Sequence, residues 1–139
     1  MKILLAADGS KFTLHAVNYL ITHAAQFQSA EVTLITVHSP IPGRAAAYLD
    51  KETVQGYYLD ECEKALNPAR RALKKAGIAY KDTYKVGDPG DEISTMATKG
   101  KFDMVVMGSH GRGLFGNLIL GSVATKVLAG CKVPVLVIR

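Results

Sequence analysis

Short apolar, β-branched runs alternate with segments of helical spacing along the whole chain, and this alternation restricts the fold more than any other feature. "KILLAA" and "EVTLITV" leave no solvated face, as strands covered on both sides require. Between them, "SKFTLHAVNYLITHAAQF" repeats Phe12, Ala16, Leu20, Ala24 and Phe27 at helical spacing, with Ser10 placed to cap its start. A second helix, marked by Tyr58, Cys62, Ala65, Ala69, Leu73 and Ala76, stops at Gly77. Asn67-Pro68 lies inside it and either kinks it or splits it in two. "AYKDTYKV" reads as a more polar strand suited to an edge. "GDPGDEISTMATKG" reads as a turn and a short helix, with Asp91 and Glu92 at the favourable end of its dipole. "FDMVVMG", a helix from about Ser122 to Leu128, and "VPVLVIR" complete the series. The expected fold is α/β, a three-layer sandwich around a five-stranded parallel sheet with right-handed crossovers, in a single domain over residues 1–139. One stretch stands apart. "HSPIPGRAAAYLDKETVQG" is rich in Pro, Gly and small residues and reads as a long loop, a candidate cover over a site.

Composition narrows the partners. A chain of 139 residues, 48% hydrophobic and 21% charged, supports a sizeable core and excludes disorder. A net charge of +5 suits a polyanion or a small phosphorylated ligand equally. No apolar run approaches the roughly 20 residues that span a bilayer. The run from Ile3 to Ala7, closed by Asp8, is too short for a signal sequence. A cytoplasmic protein without a membrane partner is therefore expected. Cys62 and Cys131, and His15, His23 and His38, show no metal-ligand spacing, and the cysteines read as core thiols. Arg70, Arg71, Lys74 and Lys75 form a basic turn that reads as a solvated face. Aromatic interleaving is lacking, so nucleic acid is not an expected partner.

In open α/β sheets ligands bind beyond the carboxyl ends of the strands, where strand order reverses. Two strand ends carry unusual residues: "AADGS", which places Asp8 and Ser10, and "MGSHG", which opens a segment holding Gly108, Gly111, Gly113, Gly116 and Gly121. Such a density of glycine marks tight turns or close approach of a ligand to the main chain. Gly121-Ser122 falls at a helix start, where unpaired N–H groups and the positive dipole end attract an anion. The segment lacks the Gly-Lys-Ser/Thr ending of a Walker A loop. "GRGLFG" matches G-x-G-x-x-G, but it lies late in the sheet and the position about 20 residues on is Leu136 rather than an acid.

The spacing Gly108, two residues, Gly111, nine residues, Gly121-Ser122 resembles that of the universal stress protein family, specifically its ATP-binding branch. "ILLAADGS", "LITVHSP", "VGDPGDEI" and "PVLVIR" are similar to successive parts of that family, so the resemblance runs over nearly the whole chain. It implies a Rossmann-like, adenine nucleotide hydrolase-like fold with strand order 3-2-1-4-5. It also implies ATP at the ends of the first and fourth strands, and Mg²⁺ reaching the site through the phosphates. Carried onto this sequence, Asp8 would lie beside the adenosine, and the main chain of Val37 would meet the adenine. Gly108 and Gly111 would lie along the ribose and phosphates, and Gly121, Ser122 and Val123 would bind phosphate. Ala7, Ser10, Met107, His110 and Arg112 complete the expected nucleotide-binding set, His110 and Arg112 as candidates for added charge. A homodimer through the last strand, Val133 to Arg139, is implied as well. "AAD" stands where many members have a proline and a valine before the acid.

Each of these residues also has a purely structural reading. Asp8 can serve the turn "DGS", Ser10 and Ser122 can cap helices, and His110 or Arg112 can be solvated or bonded to backbone. Three functions compete. The first is an ATP-binding, dimeric regulator of stress tolerance with little or no turnover. The second is a slow ATPase in which Asp8 or His110 assists water. The third is a nucleotide-free dimeric interaction module. Phosphate release above a buffer control separates the second from the first, and nucleotide affinity separates the third from both.

Overall fold

A computed structural model of the chain, described over residues 1–113 and 117–139, turns each apolar run into a strand of one sheet. Gly116, one of the glycines singled out above, lies outside the described residues. The elements in chain order are β1 (Lys2–Ala6), α1 (Lys11–Thr22), β2 (Glu31–His38), α2 (Gly43–Ala46), α3 (Lys51–Lys75), β3 (Tyr80–Val86), α4 (Pro89–Lys99), β4 (Met104–Gly108), α5 (Ser122–Gly130) and β5 (Val135–Ile138). The sheet order is β3-β2-β1-β4-β5, with every pair parallel. The chain moves outward from β1 through β2 to β3, then crosses back to lay β4 on the other side of β1. The reversal of strand order therefore falls between β1 and β4.

Period-two alternation divides the core. Ile3, Leu5, Val32, Leu34 and Val106 face Ala16, Val17 and Leu20 of α1 and Leu66, Ala69 and Leu73 of α3. The intervening Leu4, Ile35, Val105 and Met107 face Ile93 and Ala97 of α4 and Ala124 and Val127 of α5. Helices thus cover both faces, as the unbroken apolar runs require. β3, exposed at Lys81, Asp82, Tyr84, Lys85 and Val86, is the polar edge expected from its sequence.

Three expectations need correction. First, α1 ends at Thr22 rather than near Phe27. The amides of Ala24, Gln26, Phe27 and Ala30 each bond three residues back, and these turns keep Phe27 against the core without helical spacing. Second, the expected long loop is mostly helix. α2 occupies Gly43–Ala46, and α3 begins at Lys51 under the cap of Asp50, whose Oδ1 accepts the Thr53 amide at 2.6 Å. The first seven residues of α3, 51–57, are exposed except for Val54, so no apolar stripe announces them. Third, Pro68 neither splits α3 nor ends it. The carbonyl of Lys64 loses its usual donor there, and Lys64 lies on the exposed face. Cys62 is a core thiol, as expected, but Cys131 sits half-buried at the end of α5.

Two helices close by the same device with different residues. After α3, the Ile78 amide reaches Leu73 and the Gly77 amide reaches Lys74, with Gly77 at φ +72. After α4, Phe102 reaches Ala97 and Lys101 reaches Thr98, but the left-handed position is Lys101, at φ +52. Glycine stands one residue earlier, at Gly100, because a Cβ there would meet the Phe102 ring at 2.5 Å and the Met96 carbonyl at 2.8 Å. Lys101→Gly is expected to stabilise the fold by about 0.5 kcal/mol, since the exposed lysine is held in a backbone region that costs an L-residue about 1–2 kcal/mol. A shift of the urea midpoint to higher concentration, with an unchanged slope, would register it.

Candidate nucleotide site

A cavity of about 320 Å³ opens across the carboxyl ends of β1 and β4, where strand order reverses. Eleven of the twelve candidate residues line it: Ala7, Asp8, Val37, Met107, Gly108, His110, Gly111, Arg112, Gly121, Ser122 and Val123. Ser10 does not. Its hydroxyl accepts the Thr13 amide at 3.3 Å and caps α1, which is the structural reading of that residue.

Asp8 is held by its neighbours. Its Oδ1 accepts the Ser10 amide at 2.9 Å and the Thr13 hydroxyl at 2.8 Å, and its own amide donates to Thr13 Oγ1 at 3.1 Å. Oδ2 lies 3.0 Å from where a Gly111 Cβ would stand, and among the described residues no hydrogen bond reaches it. The turn "DGS" needs its glycine twice over. Gly9 has φ +79, and a Cβ there would press on the Arg112 guanidinium at 2.6 Å and the Ala65 backbone at 3.2 Å.

The opposite wall comes from the end of β4 and the start of α5. Ser109 is fully buried. Its amide donates to the Ile138 carbonyl at 2.7 Å, and its carbonyl accepts the Gly121 amide at 2.7 Å. Ser109 thereby ties β4, β5 and the N-terminus of α5 together. Its hydroxyl lies 2.9 Å from His110 Nδ1, while His110 Nε2 lies 2.7 Å from the Leu118 carbonyl. A carbonyl can only accept, so Nε2 carries a proton, and in the neutral ring Nδ1 accepts from the Ser109 hydroxyl. The His110 ring also packs on Phe12, with ring centres 5.0 Å apart. Both ring nitrogens are thus engaged within the loop.

Gly121 is the N-cap of α5 and supplies no side-chain cap, so Ser122 is the first helical residue rather than the cap. The amides of Ser122, Val123 and Ala124 therefore have no intrahelical partner, and all three residues line the cavity. One turn further on, Lys126 Nζ reaches Asp88 Oδ1 at 2.9 Å and Asp91 Oδ2 at 3.2 Å, which fastens α5 to the first turn of α4. Lys126, together with the Asp91 amide, holds the Asp88 carboxyl below its ordinary value. Pro89 and Ile93 of the tethered helix complete the wall.

The cavity thus combines an apolar wall (Ile35, Val37, Ile93 and Met107), an unengaged carboxylate oxygen and an uncapped helix start beside bare backbone. That donor set fits a ligand with one flat apolar part, hydroxyl or amino donors, and an anionic group. Among the described residues no cluster of three or more His, Cys, Asp or Glu side chains could hold a metal, so a cation here would depend on ligand oxygens. Thr13, Ser109, Pro89, Ile93 and Ala124 were not anticipated from sequence. Thr13 had only the weak signal of standing three residues after the cap Ser10, which points to capping rather than to Asp8.

The order β3-β2-β1-β4-β5, with a cavity at its switch point, defines an open-sheet, Rossmann-like α/β protein. The chain belongs to the universal stress protein family, whose sequence model matches residues 1–139. It is 33% identical over 140 residues to a universal stress protein of Thermus aquaticus, with 99% of this chain and 97% of that protein covered. Among solved structures, it is similar to protein MJ0577 of Methanocaldococcus jannaschii, at 26% identity and a TM-score of 0.82, covering 99% of this chain and 94% of that one. It is also similar to a universal stress protein in complex with cAMP, at 26% identity and a TM-score of 0.73, covering 100% of this chain and 97% of that one.

Proposed function

We propose that this protein binds an adenine nucleotide, ATP foremost, in the β1–β4 cavity and acts as a dimeric, nucleotide-responsive regulator with little or no turnover. The observation that carries the reading is the uncapped start of α5, lining the cavity with Gly121 drawn against Ser109. There the amides of Ser122, Val123 and Ala124 and the Ser122 hydroxyl are offered to phosphate, and Gly121, its own amide held by the Ser109 carbonyl, leaves room for the anion to approach. Gly108, Gly111, Arg112 and His110 border the same groove, Asp8 accepts a donor of the nucleoside, and Ala7, Val37 and Met107 bound the base. The similar universal stress protein in complex with cAMP supports the adenine assignment. ATP would supply the phosphate charge that draws Mg²⁺, which takes few protein ligands. The dimer would form through Val133 to Arg139. β5 is an edge strand whose four residues, all apolar, are each only partly buried, the kind of edge that pairs with another strand unless protected.

Calorimetric titration with ATP, AMP, cAMP and NAD, beside identification of any nucleotide released on denaturation, tests the reading. ATP is expected to bind, and phosphate release is expected to stay at the level of a buffer control. Affinity for none of the nucleotides would overturn the proposal in favour of a nucleotide-free interaction module. Phosphate release lost on Asp8→Ala would replace it with a slow ATPase.

A further inference from the structure

We infer that Thr13 is a positioning residue of this site, acting through Asp8; the inference rests on the nucleotide reading above. Thr13 is the third residue of α1 and is 3% exposed, yet its hydroxyl serves neither the helix nor the core. In the usual reciprocal cap, the N-cap hydroxyl takes the amide of the third residue, whose own side chain returns to the N-cap amide. Here the first half is present, Ser10 Oγ accepting from the Thr13 amide. The second half has moved two residues upstream, because the Ser10 amide goes to Asp8 Oδ1. The Thr13 hydroxyl is thereby released from capping, and Asp8 engages both its functions. It donates to Oδ1 at 2.8 Å and accepts the Asp8 amide at 3.1 Å.

The consequence falls on the other oxygen. With Oδ1 holding two donors, the carboxylate cannot rotate without breaking both bonds, so Oδ2 keeps a fixed direction beside Gly111 and the cavity. A fixed acceptor of negative charge selects a hydroxyl or amino group of the ligand and repels phosphate, which orients a nucleotide with its anionic end toward α5. A purely structural Thr13 would contribute to stability alone. A positioning Thr13 alters how strongly binding depends on Asp8.

The test is a set of ATP titrations on wild type, Thr13→Val, Thr13→Ser, Asp8→Ala and the Asp8→Ala/Thr13→Val double variant, with hydrogen exchange of the Asp8 amide followed alongside. Thr13→Val is expected to speed that exchange and to weaken ATP on the order of tenfold, the effect of a lost hydrogen bond to a charged group. Thr13→Ser should restore both. In the Asp8→Ala background, Thr13→Val should cost no further affinity. Thr13→Ala provides a second deletion of the hydroxyl should the valine variant not fold. Wild-type ATP affinity in a variant whose Asp8 amide exchanges faster would overturn the inference, as would unchanged exchange or an undiminished loss in the double variant. If wild type itself takes no ATP, the nucleotide reading fails first and this inference falls with it.

Discussion

Gly121→Val is expected to weaken ATP binding on the order of a hundredfold or more while the sheet stays folded, the equivalent of losing two charge-assisted hydrogen bonds. The reason is local. A Cβ at Gly121 would stand 3.1 Å from the His110 Cα and 3.3 Å from the Ser109 carbonyl oxygen. Those are backbone atoms of the residues after β4, in the same wall of the cavity, so they cannot yield as a flexible side chain would. Alanine already forces the start of α5 away from them by a few tenths of an ångström, and the branched valine forces it further. The Gly121 amide would then leave the Ser109 carbonyl, which it meets at 2.7 Å, and the first amides of α5 would turn away from the groove. Calorimetry with ATP, paired with a thermal melt, separates this from unfolding. Retained affinity in a folded Gly121→Val protein would show that phosphate lies elsewhere.

How far the sequence disclosed this arrangement depended on what each signal reports. β1, β2 and β4 were legible because burial on both faces leaves a continuous apolar run, as at Ile3, Leu4 and Leu5. Asp8 and Gly121-Ser122 were legible because strand ends and helix starts carry few residue types without a reason. The first turns of α3 were not, because their exposed residues repeat no period, and its unbroken course through Pro68 was not, because a proline reads as a breaker even where one lost bond is tolerated. Ser109 escaped notice for a different reason. Its work is done by its amide and carbonyl, which bind Ile138 and Gly121, and any residue has those. Thr13 was hidden because its partner is five residues upstream rather than on its own helix face.

Gly108 answers to packing as well as to the cavity it lines, and Gly108→Ala separates its role from that of Gly121. The sequence assigns both to close approach of a nucleotide. In the structure Gly108 also lines the cavity, but a Cβ there would meet Phe12 Cβ at 2.6 Å, its carbonyl carbon at 2.7 Å and its carbonyl oxygen at 2.8 Å. The bare backbone at Gly108 therefore admits the first turn of α1, which must cross the end of β4 at this distance for Ser10 and Thr13 to reach Asp8. Helix backbone can shift only as a unit, and α1 is locked by Ala16, Val17 and Leu20, all buried. Gly108→Ala is accordingly expected to destabilise the fold by about 3 kcal/mol, the upper part of the range for overpacking a well-filled interior. For a chain of this size that corresponds to a melting temperature lower by roughly 10 °C. The loss should be present without any nucleotide, and the gap to wild type should persist when both proteins are melted at the same saturating ATP. A Gly108→Ala variant that melts like wild type would mean that α1 has room to move, and would return Gly108 to the ligand.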